Sequence, residues 1–179
     1  MTTKEYGSGV TPLHLAASNG HLEVCKLIME RLDDKNPGTA FQQTPFHWAA
    51  RDGQFEVCKH MIENFPDKNP AAEASGWTPL HWAAKYGHLD VCKLIIDYLV
   101  DKNPKDKHGT TPLHFAAQKS HLEVCRLFLN NITDTNLHVN PRTGFRDDTP
   151  YGWAKDYGNQ AVCSLFESYI NASKEIISP

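Results

Sequence analysis

Apolar residues in this chain come in paired short blocks separated by a glycine or a small polar turn. Leu80, Trp82, Ala83 and Ala84 form one block, and after Gly87 comes a denser one of Leu89, Val91, Cys92, Leu94, Ile95 and Ile96. Spacings of three and four residues predict helices. Glu73-Ala74-Ser75-Gly76-Trp77 has turn chemistry, Thr78 suits an N-cap and Pro79 suits the first helical position. A first helix is predicted to about Tyr86, with Ala83 and Ala84 small enough for close helix approach and Gly87 fitting a left-handed stop. A second helix is predicted over about His88–Leu99, its broad apolar pattern fitting burial between two neighbours. Asp101-Lys102-Asn103-Pro104 ends it, because proline disfavours helix in the residue before it.

The same pair recurs along the chain. Thr11-Pro12-Leu13-His14 returns as Thr44-Pro45-Phe46-His47, Thr78-Pro79-Leu80-His81 and Thr111-Pro112-Leu113-His114, with a degraded copy at Thr149-Pro150-Tyr151-Gly152. The steps between threonines are 33, 34, 33 and 38 residues. A fixed period of this length means stacked units that bury their apolar faces on each other. The expected fold is an all-α repeat solenoid, one elongated domain over residues 1–179. Its repeats span approximately 6–38, 39–72, 73–105, 106–143 and 144–172, with a longer linker at 133–148 and a short tail at 173–179.

Thr-Pro-Leu-His-x-Ala-Ala, a glycine and then His-Leu-Glu-Val-Cys-Lys-Leu, written at Thr11–Ala17, Gly20 and His21–Leu27, resembles the ankyrin repeat. The resemblance covers about nine-tenths of the chain and implies antiparallel helix pairs, projecting hairpin loops and a slightly curved stack. Leu32, Phe65, Leu99 and Ile132 stand where the family places glycine after helix two, so that helix is expected to run longer or to cap differently. Asp-Lys-Asn-Pro at 34–37, 67–70 and 101–104 replaces the usual loop; Gln42 and Asp147 replace the hairpin glycine and Ser120 the glycine between helices. Asparagine hydroxylation in the family points to Asn36, Asn69, Asn103 and Asn136, although a proline follows three of them.

The fifth repeat has the marks of a cap. Eighteen residues after the threonine stand Met29, Ile62, Ile96 and Leu129, then Glu167; six after it stand Ala17, Ala50, Ala84 and Ala117, then Lys155. A terminal repeat needs a polar outer face. The first repeat has no matching change at Leu13, Leu15, Val24 and Leu27, so either an apolar edge or further upstream repeats are expected. The second alternative would make the chain a recruitment fragment of a larger protein such as an enzyme or channel.

Charge and chemistry narrow the function. The net charge of −3 comes without any run of Lys or Arg, so the footprint of nucleic-acid or membrane-surface binding is missing. Cys25, Cys58, Cys92, Cys125 and Cys163 each lie 14 residues after their threonine. Copies on successive helices would stand too far apart for disulfides, which points to reduced, buried thiols and a reducing, cytoplasmic setting. His14, His47, His81 and His114 are expected to tie hairpin backbone to helix starts. A metal site through His21/Cys25, His88/Cys92 and His121/Cys125 fails, because ligands a repeat apart cannot converge on one ion. A cysteine repeated inside helices is a packing choice rather than an accessible nucleophile. Glu23, Glu56, Asp90 and Glu123 with a base three residues later read as helix support. No enzyme, cofactor, metal or small-molecule substrate is expected, and the chain is expected to be a monomer.

Trp48, Trp82 and Trp153 share one repeat position with Leu15 and Phe115, which predicts an aromatic stripe along helix one. The ankyrin resemblance implies binding through hairpin tips and helix-one ends. These are Ser8, Val10, Phe41, Gln43, Ser75, Trp77, His108, Thr110, Arg146 and Asp148 on the hairpins, and Ser18, Asn19, Arg51, Asp52, Lys85, Tyr86, Gln118, Lys119, Asp156 and Tyr157 on the helices. Phe41, Trp77, Tyr86 and Tyr157 are large aromatics where folding does not demand them. The partner-binding set expected from this is Phe41, Trp48, Arg51, Trp77, Trp82, Lys85, Tyr86, His108, Phe115 and Lys119, on the concave face of a protein-binding module. Arg51, Lys85 and Lys119 point to an acidic component in the partner.

Overall fold

The computed structural model describes residues 9–32, 36–72, 75–132 and 149–177, with side chains to residue 172. The 133–148 linker, the hairpin positions Ser8, Arg146 and Asp148, the glycine replacement Asp147 and the loop residue Asn136 lie outside the described residues.

Among the described residues ten helices form five pairs: α1 Pro12–Ser18 with α2 Leu22–Arg31, α3 Pro45–Arg51 with α4 Phe55–Asn64, α5 Pro79–Tyr86 with α6 Leu89–Asp97, α7 Pro112–Gln118 with α8 Leu122–Asn131, and α9 Pro150–Asp156 with α10 Gln160–Ile177. No strand occurs among the described residues. Each odd helix packs on the next odd helix and each even helix on the next even one, giving two layers. The core runs between them. Leu13, Phe46, Leu80 and Leu113 fill one row, and Cys25, Cys58, Cys92 and Cys125 another, all fully or almost fully buried. The paired alanines, Ala49-Ala50 and Ala83-Ala84 among them, are also buried and let the odd helices approach closely.

Each regular helix one opens with a capping box in which histidine stands where glutamate is usual. The Thr11 backbone N–H donates to His14 Nδ1 at 3.2 Å, and Thr44–His47, Thr78–His81 and Thr111–His114 repeat this at 3.0–3.1 Å. Because Nδ1 accepts, the ring proton sits on Nε2. That proton is donated to the next repeat's hairpin: His14 to Gln43 O (2.9 Å), His47 to Trp77 O (3.0 Å) and His81 to Thr110 O (3.2 Å). These are the hairpin-to-helix ties expected of the histidines. Burial holds His14 below the usual imidazole range and pushes His47 and His81 down to about 4, outweighing the carbonyl bonds.

The residue that starts helix two reaches back in the same way. His88 Nε2 donates to Arg51 O (2.8 Å) and His121 Nε2 to Lys85 O (3.1 Å), while Gln54 and Asn159 amides do so to Ser18 O and Gln118 O (both 2.9 Å). Carbonyls left over at the end of one helix one are thus satisfied by the following repeat.

Helix two is shorter than the sequence suggested. The third copy stops at Asp97 rather than Leu99, and Leu32, Phe65 and Ile132 are extended residues at the ends of α2, α4 and α8. After α4 and α6 the different cap comes from the Asp-Lys-Asn-Pro segment. Lys68 Nζ donates to Ile62 O (2.5 Å) and Phe65 O (2.6 Å), and Lys102 Nζ to Ile96 O (2.5 Å). Asn69 and Asn103 then accept from Leu80 N and Leu113 N of the next helix one (3.1 and 3.2 Å). One tetrapeptide therefore ends one repeat and anchors the next.

At the chain's two ends the repeats differ. Lys155 and Glu167 are exposed, as a polar cap requires, and Tyr151 Oη donates to Glu167 at 2.7 Å. The last helix extends to 18 residues, which the repeat spacing did not anticipate. On the first repeat Leu15, Val24 and Leu27 are about half exposed, whereas Leu13 is fully buried.

Candidate functional site

Trp48, Trp82, Phe115 and Trp153 stand on α3, α5, α7 and α9, one above the next, each four residues after its helix-starting threonine. The stripe links to the buried histidines edge-on: Trp48 meets His14 and Trp153 meets His114, both at 5.3 Å between ring centres. Phe115, which the sequence placed among the partner-binding residues, is 7% exposed and lies between Trp77 (4.4 Å) and Trp153 (5.8 Å).

The densest part of the stripe is in the third repeat. Trp77, on the hairpin before α5, meets Trp82 edge-on at 4.8 Å, and Trp82 stacks on Tyr86 at 6.0 Å. Lys85 Nζ lies over this group, 4.6 Å from the Trp77 ring, 5.4 Å from Trp82, 5.8 Å from Phe115 and 6.0 Å from Tyr86. An ammonium over ring faces is attracted by their quadrupoles. Burial lowers the Lys85 pKa from its ordinary value, and Lys119 lowers it further.

One repeat earlier the same positions are arranged differently. Arg51 is the counterpart of Lys85 and lies 5.0 Å over Trp48, but its guanidinium also grips Asp52 (2.9 and 2.7 Å). The bond to Asp52 holds Arg51 firmly charged. Burial opposes ionisation of Asp52, but hydrogen bonds from Arg51 and from Ser18 Oγ (2.5 Å) outweigh it and keep its pKa below the usual range.

Hairpin side chains set the rings. Trp48 Nε1 donates to Gln43 Oε1 (3.2 Å), and Trp77 Nε1 donates to Asp106 Oδ2 of the following hairpin (3.0 Å). The other oxygen of Asp106 accepts from His108 N and Thr110 N, both at 2.8 Å, so one buried carboxylate shapes its own turn and fixes the Trp77 ring. Sequence reasoning missed Asp106. The Asp-x-x-Gly turn at 106–109 was the available signal, since an aspartate there folds the hairpin onto its own amides.

A family model of ankyrin repeats matches three times, over residues 2–72, 67–139 and 97–175. The chain belongs to the ankyrin repeat family. No curated protein matches it. Ankyrin repeats are protein-interaction modules in general, and no helix among the described residues of this ankyrin chain is long and apolar enough to cross a membrane.

Of the ten ankyrin-face residues expected from sequence, five meet in one cluster: Trp77, Trp82, Lys85, Tyr86 and Phe115. Trp48 and Arg51 form a smaller group one repeat away. Lys119 is exposed and close enough for its charge to act on Lys85, and His108 is exposed beside Asp106. Phe41 is a separate exposed ring at the second hairpin. The repeated thiols lie elsewhere. Cys25, Cys58, Cys92 and Cys125 are free and buried, and burial raises Cys25 to about 11 and Cys125 to about 12. Cys163 departs from the expectation of burial, being only partly covered.

Proposed function

We propose that this chain is a non-enzymatic protein-binding module that holds a protein partner against the concave, helix-one face between repeats two and four. The observation that carries the reading is the aromatic cluster of Trp77, Trp82 and Tyr86 with Phe115 behind it, because Tyr86 remains 49% exposed although folding does not demand an aromatic there. Rigid aromatic groups bury large area at small entropic cost and dominate binding hot spots. The absence of a basic run supports a protein rather than a nucleic acid as partner. Thiols raised by burial support packing roles for the cysteines and suit a reducing, cytoplasmic compartment, with the module working as a monomer.

The test is affinity capture from lysate with wild type, Tyr86→Ala and Trp77→Ala/Tyr86→Ala as baits, with circular dichroism confirming that each is folded. Each hot-spot ring is expected to contribute about 2–4 kcal/mol of binding. A partner retained by wild type and lost by both variants supports the reading. Identical capture by all three folded baits places binding on another surface.

A further inference from the structure

The third repeat differs from the second at two positions that complete the site internally. In the second repeat the indole of Trp48 has an acceptor, Gln43, and the cation Arg51 has a counter-charge, Asp52. In the third repeat the residue before the threonine is Trp77 rather than glutamine, and the residue after the cation is Tyr86 rather than aspartate. Both changes leave a group without its complement. The Trp82 indole nitrogen is shielded from solvent with no hydrogen-bond acceptor. Among the described residues Lys85 has no carboxylate within ion-pair distance, and neither does Lys119, the second cation acting on it.

Among the described residues, Asp52, Asp106 and Asp156 are the acidic groups nearest this site, and none of them pairs with Lys85 or Lys119; Asp147 and Asp148 lie outside the described residues. Asp106 is occupied by Trp77 Nε1 and two hairpin amides, and Asp52 by Arg51 and Ser18. Asp156, one repeat further on, makes no ion pair with Lys119. A shielded N–H without an acceptor is unfavourable, and an ammonium partly withdrawn from water without a counter-ion adds to that. A ligand supplying oxygen acceptors and negative charge removes both costs at once.

We propose that Trp77, Trp82, Lys85, Tyr86, Phe115 and Lys119 form a docking site for an acidic, extended peptide segment of the partner. Its carboxylates pair with Lys85 and Lys119. As Lys85 leaves the ring faces to meet them, the Trp82 indole is uncovered and donates to a main-chain or side-chain oxygen of the segment. The Trp77, Trp82 and Tyr86 rings then pack against the segment's apolar side chains, with Phe115 supporting them from behind. This deepens the module reading above and rests on it.

The test uses the full chain on an array of 12-residue peptides built from Leu, Pro, Ser and Gly, carrying no charge, two or four Asp/Glu, or two or four Lys. Wild type is compared with Lys85→Met/Lys119→Gln, which keeps an apolar stem over the rings. Retention is expected to rise at least tenfold from uncharged to four-carboxylate peptides at 0.1 M salt. It should fall at least tenfold in the double variant, and weaken at 1 M salt as exposed charges are screened. Retention independent of acid content, preference for the Lys peptides, equal acid preference in the folded double variant, or no retention of any acidic peptide overturns the proposal. A partner captured from lysate and lost by Tyr86→Ala, yet indifferent to Lys85→Met/Lys119→Gln, sinks the acidic-segment proposal while leaving the module reading in place.

Discussion

Gly87 and Ser120 occupy equivalent turns between the two helices of a repeat, and they pull stability in opposite directions. Gly87 has φ +80°, and a Cβ built there would lie 2.5 Å from His121 Nδ1 and 2.6 Å from its Cε1. The ring cannot retreat without losing its bond to Lys85 O. Gly87→Ala therefore combines left-handed strain with a clash, and a loss of roughly 2–4 kcal/mol is expected in urea unfolding. Ser120 sits at φ +61° with a side chain, in a conformation that glycine takes freely. Ser120→Gly should stabilise by about 0.5–1 kcal/mol, the relieved strain exceeding the added chain entropy of the unfolded state. A Ser120→Gly variant that unfolds earlier than wild type would contradict this account. The sequence showed Ser120 in a glycine position directly. The ring that forbids a side chain at Gly87 was not legible, because His121 comes from the next repeat.

At the scale of the element, two departures from the ankyrin pattern turned out to be one device. Leu32, Phe65, Leu99 and Ile132 in place of glycine showed that helix two needed another cap, and the Asp-Lys-Asn-Pro loop was visible as an oddity. What joined the two observations was geometry: a lysine six residues along reaches carbonyls of the last helical turn, at Ile62 O and Ile96 O. A cation at a helix C-terminus also meets the negative end of the helix dipole. Lys68→Met and Lys102→Met should each cost about 1 kcal/mol, and the two together about 2 if the sites are independent. Thermal melts followed by circular dichroism would read this, and unchanged midpoints would mean the carbonyls are satisfied by water. The candidate site was legible to a similar depth. Repeat position alone aligned Trp48, Trp82, Phe115 and Trp153, whereas the burial of Phe115 and the hold of Asp106 on Trp77 depend on contacts between repeats.

Taken as a whole molecule, the stack is joined by a line of neutral histidines, and that makes its stability depend on pH. Nδ1 of His47 and His81 accepts a threonine N–H, so a proton added there would set two donors against each other across a buried contact. Burial is the main reason these rings have pKa values of about 4 instead of 6.5, with neighbouring histidine charges lowering them further and Asp106 partly supporting charge on His81. Between pH 6.5 and about 4 the unfolded chain binds these protons and the folded chain does not. Folding stability therefore rises with pH through that window and falls as acid is added. Each ring is expected to remove roughly 1.4 kcal/mol by pH 5.5 and about 3 kcal/mol by pH 4. Because every repeat is stabilised by its neighbours, loss at the two central ties should loosen the stack as a unit. Urea unfolding at pH 7.5, 6.5, 5.5 and 4.5 would measure this, with the midpoint expected to fall most steeply below pH 6.5. A His47→Gln/His81→Gln variant should start less stable at pH 7.5 and lose less on acidification. If wild type and variant share the same slope, the acid sensitivity arises from other groups and the central rings are not held neutral by the fold.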